Sequence, residues 1–251
     1  MNSLPVLYQD KQLVAVNKPA GLLIHRSDID RHATENAMKI VRDQLGQWVY
    51  PVHRLDKATS GVLVFALDKE TARAMMGLFT TEKVSKSYLA IVRGYTSDNE
   101  RIDHPLRERW DRMTDQKADK DKPAKQAVTE YRRLATIELP HPVGRYSTAR
   151  FSLVQANPLT GRNHQIRRHM KHIFHPVVGD TTYGDGKQNE FFRGNLKCRR
   201  LLLHAHSIEF PHPRTDQPLR IAAPLDRSFG ALLDELPWDG DMRQVLEQRE
   251  G

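Results

Sequence analysis

The chain has 251 residues, 39% of them hydrophobic and 28% charged, enough to bury a sizeable core in one large domain or two small ones. No apolar run approaches a membrane span, the first residues lack the charged start and apolar stretch of a secretory leader, and the one cysteine, Cys198, has no partner for an internal disulfide and suits a reducing cytoplasm. Lys and Arg number 39 against 31 Asp and Glu, a net charge of +8, which favours a polyanionic partner, most commonly nucleic acid.

Residues 13–17 read as a strand, turned by Lys18-Pro19-Ala20-Gly21 and resumed over 22–25. Residues 36–45 place Ala37, Ile40, Val41 and Leu45 on one helical face, and Gly46 ends that helix. The loop 51–61 follows, Pro-Val-His-Arg-Leu-Asp-Lys-Ala-Thr-Ser-Gly, and feeds an apolar run over 62–67 that reads as a buried strand. It packs Arg54, Asp56 and Lys57 beside a core, which is costly unless the charges are paired or working. Residue types alone leave two readings open, a structural ion pair capped by Thr59 and Ser60 or a chemical site. Asp68 then caps a helix with Ala72, Met75, Met76 and Phe79 inward, the methionines being core filling. Residues 86–94 are the next strand.

Residues 98–125 differ in character, with eight basic side chains against eight acidic ones and few apolar ones. They are expected to form a solvated insertion, with ordering on RNA as a second possibility. Residues 128–139 and 148–155 alternate as a hairpin does. A turn at 158–162 leads into a helix over 163–174, with Ile166, Met170 and Ile173 inward and Pro176 as its stop. Residues 201–210 and 219–222 read as strands and 228–236 as a last amphipathic helix. No basic block stands out as a tail and no internal repeat occurs, so any binding face is assembled by folding. The pattern fits one α+β domain around a mixed, mostly antiparallel sheet.

Several chemistries lose their usual support. The chain has 12 histidines, yet none forms a His-Glu-x-x-His pair, no acid interrupts 163–178, and Cys198 lacks a cysteine partner, so neither a metal site nor a metal-dependent hydrolase is expected. Ser60 lacks the Gly-x-Ser-x-Gly elbow. No phosphate-binding glycine loop occurs, and no cofactor is expected.

His53-Arg54-Leu55-Asp56-Lys57-Ala58-Thr59-Ser60-Gly61 resembles the signature loop of the RluA-type pseudouridine synthases. The resemblance implies that Asp56 is the catalytic residue. Asn17-Lys18-Pro19-Ala20-Gly21 with Ile24-His25 is similar to the start of that family's catalytic domain. Many members carry a small RNA-binding domain before this point, and the compact start here implies one catalytic domain over 1–251 that binds RNA with its own body. Gly161-Arg162-Asn163-His164-Gln165-Ile166-Arg167 followed by His169 resembles the third family motif, which implies an ion pair between Arg167 and Asp56. Asn163 departs from the more familiar threonine, serine or methionine, at a position off the reacting centre.

Tyr88, in Lys86-Ser87-Tyr88-Leu89-Ala90, matches the family's active-site tyrosine, which stacks on the uracil and helps reprotonation; an ordinary strand tyrosine is the alternative. Leu203 corresponds to an apolar pocket residue, although a plain core leucine fits equally. Arg54 corresponds to the side chain that fills the space left by a flipped nucleotide, and His53 and Arg162 join it as RNA-binding candidates. Gly179-Asp180 and Tyr183-Gly184 resemble a structural turn.

The implied reaction is isomerisation of uridine to pseudouridine without a cofactor. Asp56 acts either as a nucleophile on the ribose or as a base on its 2′ proton. Gly-Leu-Leu-Ile-His-Arg-Ser at 21–27, Ala-Thr-Ser-Gly at 58–61 and Gly-Arg-Tyr at 144–146 resemble the members that modify a T-stem uridine of tRNA, position 65. Ribosomal RNA is the alternative substrate, and a non-catalytic RNA-binding protein on the same scaffold is the alternative of another class. The expected protein is a cytoplasmic monomer without metal or membrane contact.

Overall fold

A computed structural model describes residues 3–25, 35–107 and 123–239. Among these, ten strands join one sheet: β1 (Val6–Gln9), β2 (Leu13–Lys18), β3 (Tyr50–Pro51), β4 (Ser60–Ala66), β5 (Ser85–Arg93), β6 (Asn99–Asp103), β7 (Val128–Leu139), β8 (Ala149–Pro158), β9 (Leu203–Pro211) and β10 (Pro218–Ala222). The spatial order is β1-β2-β4-β9-β5-β8-β7-β6, with β3 beside β4 and β10 beside β9. Five helices accompany it: α1 (Ala37–Leu45), α2 (Lys69–Thr80), α3 (Gln165–His172), α4 (Gly186–Gly194) and α5 (Arg227–Glu235). None of these helices is long and apolar enough to cross a membrane.

Pairing is antiparallel except where β4 meets β9, with Ser60 opposite His204 and Gly61 opposite Ala205. The approach there demands glycine. Gly61 has φ +113, and a Cβ on it would lie 2.1 Å from the Ala205 carbonyl oxygen. The continuous apolar run of β4 follows from burial on both faces. Leu63 and Phe65 pack against Ile40 and Val41 of α1, while Val62 and Val64 pack with Met75 of α2. Along β5, Leu89 and Ile91 enter the core with Phe192 of α4 and Phe229 of α5. Ala90 and Val92 pack instead with Ile166 and Met170 of α3. Tyr88 touches the clusters of both α1 and α3, and so lies beneath the junction between them.

Helix starts follow their polar residues. The side chain of Asn36 accepts from the Lys39 amide, and that of Asp68 from the Thr71 amide. Residues 22–25 do not resume a strand; the carbonyls of Leu23 and Ile24 instead accept the Ala37 and Met38 amides at 2.8 and 2.9 Å. These close two of the donors that a helix start leaves open. α4, with Asp185 as its cap and Phe191 and Phe192 buried, has no counterpart among the elements expected from sequence.

The charged stretch at 98–125 is also corrected in part. Residues 99–103 are the edge strand β6, paired along its length with β7, where Ile102 is buried and Arg101 meets Glu130 at 2.7 Å. Leu106 and Lys125 bridge just beyond it. The part of the expected insertion at 108–122 lies outside the described residues.

α3 is shorter than its pattern at both ends. His164, before it, is left-handed at φ 52. At the other end the His175 amide reaches the Met170 carbonyl at 2.8 Å and the Phe174 amide reaches Lys171 at 3.0 Å. That is a Schellman ending with Phe174, φ 65, in the left-handed position where glycine is usual. A bulky residue there costs roughly 1–2 kcal/mol.

Candidate active site

The loop carrying Asp56 is fixed by the first turn of the chain. Lys18 is fully buried, and its Nζ donates to the carbonyls of Pro19 (2.9 Å), Leu22 (2.8 Å) and Lys57 (3.2 Å). The Gly21 amide also reaches the Lys57 carbonyl, at 2.7 Å. Three acceptors match the three protons of an ammonium. Burial nonetheless pulls the Lys18 pKa down to about 7, against the opposite pull of the nearby Asp56 carboxylate. Asp56 itself closes a turn by accepting the Thr59 amide on its carbonyl at 3.0 Å.

From this turn the Asp56 side chain meets Arg167, with Nη1 to Oδ2 at 2.9 Å. Arg167 is held from behind. Its Nε and Nη2 donate to the two carboxylate oxygens of Asp180 at 2.7 and 2.9 Å. The Thr182 and Tyr183 amides add further bonds to Asp180 at 2.9 and 3.0 Å. Burial works against the Arg167 charge, but Asp180 and then Asp56 outweigh it and raise its pKa. Burial likewise opposes the Asp180 charge, while Arg167 and the two amides hold its pKa below the usual carboxylate value. The Asp180 side chain is inaccessible, whereas Asp56 keeps 20% of its side-chain surface exposed. One carboxylate is buried scaffolding; the other faces a cleft.

That cleft has a volume of about 670 Å³. Asp56, Arg167, Tyr88, Arg54, Leu203, His53 and Arg162 all line it. Tyr88 and Leu203 lie on adjacent strands, β5 and β9, and supply aromatic and aliphatic wall. Burial, with Asp56 adding to it, pushes the Tyr88 hydroxyl pKa up, so the phenol stays protonated. Lys86, two residues earlier on β5, also lines the cleft and donates to the Thr160 carbonyl at 3.3 Å.

RNA pseudouridylate synthase is the description of the family whose model matches residues 12–172. This chain belongs to that family. It is 51% identical to tRNA pseudouridine synthase C of Vibrio cholerae over 94% of this chain and 96% of the relative. It is 50% identical to the protein of the same description from Haemophilus influenzae, over 94% and 99%. Among solved structures, human RNA pseudouridylate synthase domain containing 1 superposes with a TM-score of 0.70 at 27% identity, covering 98% of this chain and 94% of the human one. Human RNA pseudouridylate synthase domain containing 4 gives 0.69 at 28% identity, covering 94% of each. The synthase is therefore an isomerase, built on the mixed and mostly antiparallel sheet that its sequence pattern implies.

Within the synthase, the candidates differ in what else they do. Arg54 is exposed at the cleft. Arg162 is exposed too, with Nε on the Gln126 carbonyl at 2.9 Å. His53 departs from a simple RNA contact. Its Nε2 accepts the Val64 amide at 3.0 Å, its ring lies 5.6 Å from that of Phe79, and burial, with Lys86 adding, pulls its pKa down to about 4. A neutral ring propping β4 fits that setting better than a phosphate ligand.

Three contributors have no chemical role in the motif reading, which takes the Gly179-Asp180 turn as structural. Asp180 fixes the fork of Arg167, although a lone acid in a Gly-Asp turn carries no periodic signal. His164 puts Nε2 3.8 Å from Asp56 Oδ1, and its Nδ1 lies 3.2 Å from the Tyr183 hydroxyl. Lys18 stands inside a quoted motif, and only its burial beside Asp56 marks it out. The remaining histidines of the region are spent separately. His169 bonds Thr129 Oγ1 and the His104 carbonyl, His172 stacks on His104, and His175 bonds the Arg93 carbonyl. Among the described residues no group of three or more His, Cys, Asp or Glu is placed to hold a metal ion.

Proposed function

We propose that this synthase converts a uridine of tRNA to pseudouridine, with position 65 of the T-stem as its target and Asp56 as the catalytic carboxylate. The observation that carries the reading is the Asp56–Arg167 pair at 2.9 Å, open to a cleft on one side and buried on the other. The tRNA assignment draws on the near-full-length relatives at about half identity.

In the reaction the C1′–N1 bond breaks, the uracil turns, and C5 bonds to C1′. One proton leaves C5 and one is gained at N1, so composition is unchanged and no redox partner is needed. Asp56 either attacks C1′ or removes the C2′ proton; Arg167 supplies the fixed counter-charge and the aim for both. The uracil is detached for part of the cycle, so the walls must retain it. The Tyr88 ring stacks on it and Leu203 closes the apolar side. A stacked uridine cannot reach this depth, so the nucleotide is flipped out at a cost of a few kcal/mol. Arg54, exposed at the cleft, fills the vacated space, and Arg162 takes a phosphate.

The working unit in this reading is a monomer. A tRNA substrate and a buried, lone Cys198 both suit the cytoplasm. The test is incubation of the purified protein with unmodified tRNA and ribosomal RNA transcripts, followed by pseudouridine mapping. Product at position 65 of tRNA is expected. Product confined to ribosomal RNA would move the substrate, and none in either would leave a non-catalytic RNA-binding protein.

A further inference from the structure

Beyond the cleft, α3 carries a second charged surface. Arg168, Lys171 and His172 share one outer stripe at helical spacing, and no acidic residue occurs over 163–179. The guanidinium of Arg168 donates to the Arg107 carbonyl at 2.9 Å, which brings that exposed cation alongside. His172 is anchored by stacking on His104, with ring centroids 3.7 Å apart and planes 14° from parallel.

Immediately past this stripe stands Phe174, with 83% of its surface exposed. It occupies the left-handed position of the helix ending, where a glycine would relieve the backbone. Folding gains almost nothing in return, because the ring is not buried. A strained and exposed aromatic residue beside a row of cations needs a reason outside the fold. Single-stranded nucleic acid offers one, since bases stack on aromatic rings while Lys and Arg track the phosphates.

We infer that Phe174, with Arg168 and Lys171, is a second tRNA contact outside the reaction cleft, its ring stacking on an unpaired base and the two cations holding adjacent phosphates. The inference rests on the tRNA substrate proposed above. It assigns the end of α3 to substrate affinity and leaves the chemical step to the cleft.

The experiment compares Phe174→Gly, Phe174→Trp and Arg168→Gln/Lys171→Gln with the wild type, reading tRNA affinity by anisotropy, kcat at saturating tRNA, and Tm. Phe174→Gly is expected to raise Tm while weakening tRNA binding about tenfold, the scale of one base–aromatic stack, with kcat within twofold. Phe174→Trp is expected to keep wild-type affinity. The double substitution is expected to lower the salt dependence of binding by about two counterions. Wild-type affinity in Phe174→Gly would overturn the contact and leave the patch to a protein partner. A loss that Trp does not restore would overturn the stacking. Both outcomes are separable from failure of the substrate proposal, which would appear as wild-type protein making no pseudouridine in tRNA.

Discussion

Asp180 grips Arg167 with both carboxylate oxygens, at 2.7 and 2.9 Å, and leaves Nη1 to meet Asp56 at 2.9 Å. The guanidinium therefore cannot swing with the flexible side of the pair. Its direction is set by a buried anion that never meets the substrate, and Asp56 inherits that direction.

Asp180→Asn keeps the shape and removes that anion. Unbalancing a buried pair of this kind costs about 3 kcal/mol, so a clear fall in urea stability is expected. Because the fork also loses its aim, kcat should fall at least tenfold while KM for tRNA stays within about twofold. Unchanged kcat in a folded variant would remove Asp180 from the positioning role.

Asp56→Asn is nearly isosteric and leaves the cationic surfaces intact. Pseudouridine formation should vanish while tRNA affinity is retained, as read by product mapping and anisotropy on the same preparation. Arg167→Lys should also fail, by about 10²-fold or more in kcat, since a lysine cannot make the planar fork to Asp180 and reach Asp56 as well. Substantial turnover in Asp56→Asn would defeat the catalytic assignment outright.

Tyr88 separates a ring function from a hydroxyl function. The phenol is protonated at working pH, because burial and the adjacent Asp56 both push its pKa up. Tyr88→Phe keeps the ring and should lower single-turnover rates by about 10²-fold if the hydroxyl handles a proton. Tyr88→Leu should be slower still, having lost the stack. Equal, wild-type rates in both would make Tyr88 an ordinary wall residue.

Acid should destabilise the protein through its buried histidines. His204 Nε2 lies 3.1 Å from the Ala223 carbonyl, so that nitrogen carries the proton and Nδ1 accepts from Ser60 Oγ at 2.8 Å. Burial pulls its pKa from 6.5 to about 4. Between those values the unfolded chain binds a proton that the folded one refuses. Stability is thus fully present above pH 6.5 and falls as pH drops towards 4, by up to about 3 kcal/mol from His204. His53, also near 4, acts in the same direction. Urea titrations at pH 7 and pH 4.5 check this, with a shallower loss expected in His204→Asn; a flat wild-type profile would contradict it.

Much of the frame is legible in the sequence because its signals are local. The apolar run of β4, the alternation of β7 and β8, the polar cap Asp68 and the terminating Gly46 each mark an element by residues that touch. The Asp56–Arg167 pair is legible only through the resemblance of two long motifs, since no spacing rule joins residues so far apart. β6 escapes because an edge strand needs one buried side chain, Ile102, and surrounding charge masks it. α4 escapes because its apolar content is concentrated in Phe191 and Phe192. The left-handed backbone at Phe174 is invisible in advance, as a bulky aromatic residue does not favour it, and at His164 the residue type tolerates that conformation without announcing it.

The side-by-side placement of β4 and β9 has a consequence for biosynthesis. Ser60 and His204 touch across 144 positions, and Asp56 and Arg167 across 111. While the polypeptide is still emerging from the ribosome, β2 and β3 can already pair with β4, but its stretch at Ser60 and Gly61 waits for β9, the last of its neighbours to be translated. Such distant pairings form slowly and leave sticky strands open to other chains. A prematurely terminated product ending before β9 would carry Asp56 without a finished floor beneath it, and would be a client for chaperones before it could be an enzyme.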